Sequence, residues 1–401
     1  MSAALLLLAS AGARAGDGTP SQEPCLATCS GSGQSRECSF HVRLDIFASD
    51  TGYYVIDECG DTPQPVIAME RNVPYKFFQN DETNWMHPLG LAYFPDGAHR
   101  NVDELEPGIS QTGGSCVADE SCQAPQYSHG AIALSTVDGG FGLDAYEPAF
   151  QLGRADWIAS RFESGAAGYY VELKITDDQY DKDLFYFCHV HHGMSGRIKQ
   201  LDAGGARVQT ADEPAIPYAY KMPTSFDKNC GTYGLGEYSS NKVCPADTFL
   251  CGLGDADLSA STQHFGECLH AMDCAMHEEM RVNLHENDPI TTFMHQMVPH
   301  HENAVNMAKA ILKMDILTLE QDPEGELVAF FWDIVNKQNQ QITFMEKWLL
   351  DQGRPLHADV YCKEKCPPGC KSSIGHSAQH SHRLLFASFS SKCPSGCTVA
   401  Y

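Results

Sequence analysis

Between Leu184 and Ile198 the chain reads Leu-Phe-Tyr-Phe-Cys-His-Val-His-His-Gly-Met-Ser-Gly-Arg-Ile. A thiol (Cys188), an imidazole (His191) and a thioether (Met194) recur there at steps of three between two strand-like runs. Thiolate and thioether stabilise Cu(I), and imidazole accepts Cu(II). Two histidines and one cysteine with a weak axial methionine therefore suit copper in both oxidation states. The second histidine must come from elsewhere, and Asn84-Trp85-Met86-His87-Pro88-Leu89 offers His87 at the start of an apolar run. The predicted metal set is His87, Cys188, His191 and Met194, with copper as cofactor.

Cys-x-x-His-x-x-Met followed by Ser-Gly-Arg-Ile, with an upstream Asn-x-x-His-Pro, resembles the cupredoxins, the plastocyanin-like blue copper family. The short ligand loop is most similar to the amicyanin type. The resemblance implies a Greek-key β-sandwich, a type 1 copper and one-electron transfer, with His87, Cys188, His191 and Met194 as ligands. The stretch from His87 to Cys188 is longer than a small single-domain cupredoxin needs, and His129 is the other histidine that could serve. A multicopper oxidase would carry His-Cys-His around the cysteine, whereas Phe187 precedes Cys188 here. Reduction of oxygen to water is therefore not expected.

Short strands have to position these ligands. Alternating or apolar runs bounded by Gly and Pro predict strands over 40–46, 53–56, 65–69, 73–78, 131–134, 157–159 and 169–175, and from 184 into the ligand loop. Such spacing argues for a β-sandwich. The expected organisation is a signal peptide over 1–15, a Cys/Ser/Gly-rich arm over 16–37, and the sandwich over 38–201 with an insertion near 95–127. A disulfide-rich connector over 202–259, helices over 260–353 and a Cys/His-rich tail over 354–401 follow. The fold class is multidomain α and β.

Composition narrows the setting. With 401 residues, 43% of them hydrophobic, the chain can build two ordinary cores. A formal charge of −25 disfavours a nucleic-acid partner. No stretch after the signal reaches the length of a membrane span. Seventeen cysteines indicate an oxidising, extracellular compartment. Setting Cys188 aside leaves sixteen, an even number compatible with eight bridges. Cys116 with Cys122 is a plausible local loop, and Cys25, Cys29, Cys38 and Cys59 can pair among themselves.

From Ser261 the apolar period changes to that of helices. Asp288-Pro289 is a helix start, a cap followed by proline in the first turn. Along that helix Met297, His300, Ala304 and Met307 share one face, and Met294, Met297, His301 and Val305 the next. Met272, Met276 and Met280, at steps of four, read as core filling. A third helix from Asp322-Pro323 to about Asp351 carries Phe330, Ile334, Gln338, Ile342, Met345 and Leu349 on its apolar stripe. An antiparallel bundle is expected.

The run Met-x-Pro-His-His-x-x-Ala-x-x-Met-Ala, followed by Gln338-x-x-Gln341-Ile342-x-x-Met345-x-x-Trp348-Leu349, resembles the ferritin-like domain of unknown function 305 over roughly 288–353. Members of that family are associated with binding copper or silver through methionine and histidine. The resemblance places helical-domain copper on Met294, Met297, His300, His301 and Met307. Gln341 stands where the family commonly has Glu. A di-iron site needs several Glu and Glu-x-x-His repeats, and the seam offers sulfur instead. His376, His380 and His382 lie in the tail.

The predicted function is that of a secreted copper protein, in which type 1 one-electron transfer is coupled to copper binding, storage or delivery by the helices, with a redox partner protein. The alternatives are an extracellular surface or matrix protein that binds metal without redox turnover, and a metal oxidase.

Overall fold

The computed structural model describes residues 23–100, 103–109, 124–176, 180–208, 215–218, 223–239, 243–245, 248–282, 284 and 288–357, and two short strands at 370–372 and 397–399. The expected signal peptide, Cys116, Cys122 and the tail histidines lie outside these residues.

A β-rich N-terminal region precedes long C-terminal helices. One sheet runs β1 (Cys25–Leu26), β5 (Ile67–Glu70), β12 (Gly196–Leu201), β11 (Leu184–Cys188) and β7 (Leu89–Ala92). Its β1/β5 and β5/β12 pairs are parallel, and β12/β11 and β11/β7 antiparallel. The other sheet runs β2 (Thr28–Ser30), β3 (Glu37–Asp45), β6 (Pro74–Phe78), β10 (Tyr169–Lys174), β8 (Gln126–His129) and β9 (Ile132–Ala133), with β4 (Tyr53–Ile56) also paired to β3.

Burial follows the pleat. Along β3 Cys38, Phe40, Val42 and Leu44 point inward while the residues between them do not. Every residue of β11 is buried, since it is central in its sheet and covered on both faces. The two sheets share one apolar cluster that includes Phe40, Tyr54, Phe77, Trp85, Tyr186 and Cys188. Pro74 is tolerated because it opens its strand.

The strand expected over 157–159 is a helix instead. The stretch folds as α1 (Ser135–Asp138), α2 (Leu143–Phe150) and α3 (Arg154–Ser160). Tyr146, Phe150 and Trp157 are fully buried and recur at helical spacing, a period that a three-residue apolar run cannot reveal.

Disulfides Cys25–Cys59 and Cys29–Cys38 fasten the N-terminal arm. Cys230–Cys268 and Cys244–Cys274 fasten the connector to the helices. Cys251 carries a second free thiol, which is exposed, so Cys188 is not the sole unpaired cysteine. The tail contributes an antiparallel pair, β13 (Cys370–Ser372) with β14 (Cys397–Val399).

The connector contains α4 (Ser225–Cys230), and the long helices are α5 (Ala260–Glu279), α6 (Pro289–Met314) and α7 (Glu326–Asp351). Asp288 caps α6 by accepting from the Thr291 N–H, with Pro289 next. α7 begins slightly later than expected, at a left-handed Gly325, and the Asp322 carboxylate accepts from the Leu327 and Val328 N–H groups. On α7, Val335, Ile342 and Met345 pack against Val298, Val305 and Ala308 of α6. Phe330 falls off that stripe and is 55% exposed. The adjoining face buries Asn336, Asn339 and Thr343. Among the described residues no helix is long and apolar enough to cross a membrane.

Candidate metal centre

β11 ends at Cys188, and the chain turns at once, so that the His191 N–H points back to the Cys188 sulfur at 3.4 Å. That contact is the structural content of Cys-x-x-His. His87 arrives just before β7, which pairs with β11 so that Leu89 lies opposite Cys188. Met86, in a left-handed conformation at φ 63°, makes the turn that delivers it. Gln79 holds the approach, donating to the His87 carbonyl at 2.7 Å and accepting from the Leu89 N–H at 2.7 Å.

The far end of the loop is equally fixed. The Asp96 carboxylate accepts from the Gly193 N–H, the Ser195 hydroxyl and the Tyr218 hydroxyl at 3.1, 3.1 and 2.9 Å. Gln64 donates to the Ser195 carbonyl. Gly196 follows where a Cβ would overlap the Tyr186 ring, which explains the glycine in Ser-Gly-Arg-Ile.

His87, Cys188, His191 and Met194 are all fully buried, Met194 in the same apolar cluster as Cys188. The ligand atoms converge. Cys188 Sγ lies 3.7 Å from His87 Nδ1 and 3.8 Å from His191 Nδ1, and the two Nδ1 atoms are 3.2 Å apart. A triangle with those sides has a centre about 2.1 Å from every corner, inside the span of metal–nitrogen and metal–sulfur bonds, about 2.0 to 2.3 Å.

The outer nitrogens settle the protonation. His87 Nε2 faces the Asn336 Oδ1 at 3.1 Å, and His191 Nε2 faces the Asn336 carbonyl at 2.9 Å. The amide orientation is set by its Nδ2, which donates to the Trp85 carbonyl at 3.0 Å. Both partners accept, so both Nε2 atoms carry the hydrogen and both Nδ1 atoms present lone pairs. Burial holds His87 well below the usual imidazole range and His191 down to about 3, which keeps both rings neutral. Two lone pairs and a sulfur that face one another in a dry cavity repel unless a cation lies between them. The donor set therefore fits a soft or borderline metal ion. Without one, burial pushes the Cys188 thiol up to about 12. A bound cation reverses that preference and takes the thiolate.

The groups that hold the ligand segments from behind come from the helices. Besides Asn336, the Thr343 hydroxyl accepts from the His192 N–H at 3.4 Å, and Glu346 pairs with the His192 ring at 2.6 Å. Lys309 of α6 is buried and donates to the Ser49 and Asp50 carbonyls at 2.8 and 2.7 Å, joining the helices to the loop after β3. His129 lies elsewhere: its Nε2 faces the Ser160 and Arg161 carbonyls, and its ring stacks on Tyr169 at 4.0 Å. Of the two candidate upstream histidines, His87 is the one brought to Cys188.

The helical candidates do not gather. Met294 and Met297 pack in the α6/α7 cluster, and Met307 in a separate one with Met272 and the Cys230–Cys268 bridge. His300 is exposed. The His301 ring bonds the Met297 carbonyl and the Gln341 amide, both at 2.9 Å.

Sequence reading missed Asn336, Asp96 and Tyr218. The signal for Asn336 is present: Asn336, Asn339 and Thr343 repeat at three and four residues beside the apolar stripe of α7, where a solvent-facing helix would carry charge. Asp96 and Tyr218 sit in irregular segments without a pattern.

No curated protein and no solved structure matches the chain. The described donors and their helical shell nonetheless fall on either side of one boundary, because a family model covers the part that holds Asn336, Thr343 and Glu346. The C-terminal region contains a Domain of unknown function (DUF305), whose model matches residues 261–349 and 290–383.

Proposed function

We propose that the protein is a secreted copper protein whose N-terminal region is a cupredoxin with a type 1 centre on His87, Cys188, His191 and Met194, and that it transfers single electrons. The convergence of two unprotonated Nδ1 atoms and one thiol at 3.2 to 3.8 Å carries this reading. Copper in such a set supplies a one-electron couple without change of ligands. The chain's own contribution is rigidity. Asn336 fixes both rings, Gln79 and Asp96 fix the two ends of the ligand segments, and the apolar surroundings keep water off the sulfur. A thiolate with Cu(I) is a neutral pair, which suits a fully buried site better than the net positive oxidised state.

The helical domain then acts first by orienting the ligands of the centre, since α7 carries the acceptors for both imidazoles. Coupling of the centre to copper storage or delivery by the helices runs through that helix. The visible and electron paramagnetic resonance spectra of the full chain loaded with Cu(II), beside a Cys188→Ser variant, test the reading. An intense thiolate charge-transfer band that vanishes in the variant supports it; Cu(II) binding with no such band overturns it.

One observation favours a second reading, a metal-binding extracellular protein without turnover. No ligand edge reaches solvent. Slow reduction of the loaded protein by a one-electron reductant, over minutes or longer, would favour that static role.

A further inference from the structure

A centre closed to solvent needs a way for its ion to arrive. His192, the residue after ligand His191, forms part of the wall of a cavity of about 600 Å3 between the β-rich region and the helices. Asp50, Glu302, Glu346 and Asn339 also line it, and among the described residues no cysteine or methionine does. A second cavity of about 300 Å3 shares Glu302 and His357 with the first and adds Glu278 and Glu279.

Glu302 is the informative residue. It projects between both cavities, and no hydrogen bond or ion pair reaches its carboxylate among the described residues. The charges that bear on it are Asp50, Glu279 and Glu346, all carboxylates, so burial and repulsion hold its carboxyl well above the usual range. Two of the basic groups nearby are committed, Lys309 to two carbonyls and His192 to Glu346, which leaves the His357 imidazole facing the carboxylates of both cavities. Carboxylates outnumber the basic groups that face them, an arrangement that favours a cation.

We propose that the two cavities form a capture vestibule for a hydrated divalent cation, Cu(II) on the reading above, on its way to the buried His87, Cys188 and His191. The inference rests on that reading. Carboxylate and imidazole donors suit Cu(II), whereas Cu(I) prefers sulfur, which the described residues of the walls lack. Among the described residues no three of the cavity's carboxylates and imidazoles come close enough together to chelate a bare ion. The ion therefore keeps its water and stays mobile, as in passage rather than storage. Room suffices, because a water molecule takes about 30 Å3. Walls of one sign around a cleft raise the local concentration of counter-ions. Asn339 lies one turn along α7 from Asn336, so the vestibule and the clamp on both imidazoles share a helix.

Rapid mixing of Cu(II) with the metal-free full chain, followed through growth of the thiolate band, tests this. An Asp50→Asn/Glu302→Gln variant is expected to reach the same final spectrum with a second-order rate about tenfold lower and a flatter salt dependence. The amides remove repulsion among the carboxylates but also the Asp50 charge beside buried Lys309, so circular dichroism checks the fold, and Glu302→Gln alone, which leaves Asp50 in place, is expected to slow loading in the same direction. Equal rates in both proteins overturn the proposal. If the parent protein never develops the band, the copper-centre reading fails instead. Calorimetric titration of Cu(II) into Cys188→Ser then decides the vestibule: weak binding that disappears with the two amide substitutions supports it, and unchanged heat overturns it.

Discussion

The ligand loop and the methionine–histidine face of α6 contain the same donor types, yet only the first brings them to a point. Cys188 and His191 are joined by a tight turn, and His87 arrives from a neighbouring strand, so three donors approach from three directions. Met294, Met297, His300, His301 and Met307 sit on a single helix, whose geometry fans successive side chains around a cylinder. Two apolar clusters and solvent divide them. Donor chemistry selects candidates, and convergence from separate elements makes a centre.

The strongest way to break this comparison is Cys188→Ser. The hydroxyl is a poor ligand for copper, so the charge-transfer band should vanish entirely while far-ultraviolet circular dichroism is unchanged. A variant that kept the band would remove the basis for placing the metal there.

Asn336→Ala should act next most strongly, because its side chain holds the outer nitrogen of His87 while the backbone carbonyl toward His191 stays in place. Loss of such partners typically costs about 10- to 100-fold in metal affinity, to be read by competition with a chromophoric chelator. In the metal-free protein the same change strands the His87 N–H and the Trp85 carbonyl, and denaturant unfolding should register about 1 to 3 kcal/mol. Asn336→Asp, which keeps an acceptor toward His87, should recover much of the affinity. An affinity within twofold of the parent in Asn336→Ala would reduce α7 to a cover.

The vestibule offers a smaller effect with a definite sign. Glu302 has a folded pKa above its unfolded one, through burial and then Asp50, Glu279 and Glu346. Its contribution to stability is therefore complete below about pH 4.5 and is lost as pH rises through the folded value. Glu302→Gln removes that loss, so the variant's advantage in metal-free unfolding should grow as pH rises above 4.5, by at most about 1.4 kcal/mol per pH unit. An advantage independent of pH would mean that the carboxylate is ionised throughout.

Legibility in the sequence followed the distance over which order is specified. Cys188, His191 and Met194 stand at fixed steps in one loop, β3, β6 and β10 alternate in a period that a window of residues reveals, and β4 is a short apolar run buried throughout. The helix start at Asp288-Pro289 is local chemistry and was equally plain. The helices of 135–160 were not, because Trp157-Ile158-Ala159 is too short to separate a helix from a strand. Asn336 was hidden for another reason. Its partners lie 249 and 145 residues away, and nothing in α7 announces which surface it meets.

The smallest expected effect is the most pointed about the helices. His300 is exposed, its neighbour His301 is engaged by Met297 and Gln341, and Met307 faces a different cluster. His300→Ala should therefore shift unfolding by no more than about 0.5 kcal/mol and leave Cu(I) affinity within twofold in a competition assay. A surface imidazole whose neighbour, the His301 ring 5.8 Å away, is already engaged gains little from a soft ion that water does not already offer. A tenfold loss would show that the face of α6 rearranges around metal, bringing together donors that the described fold keeps apart, and the contrast between the two regions would then be one of rigidity rather than of binding.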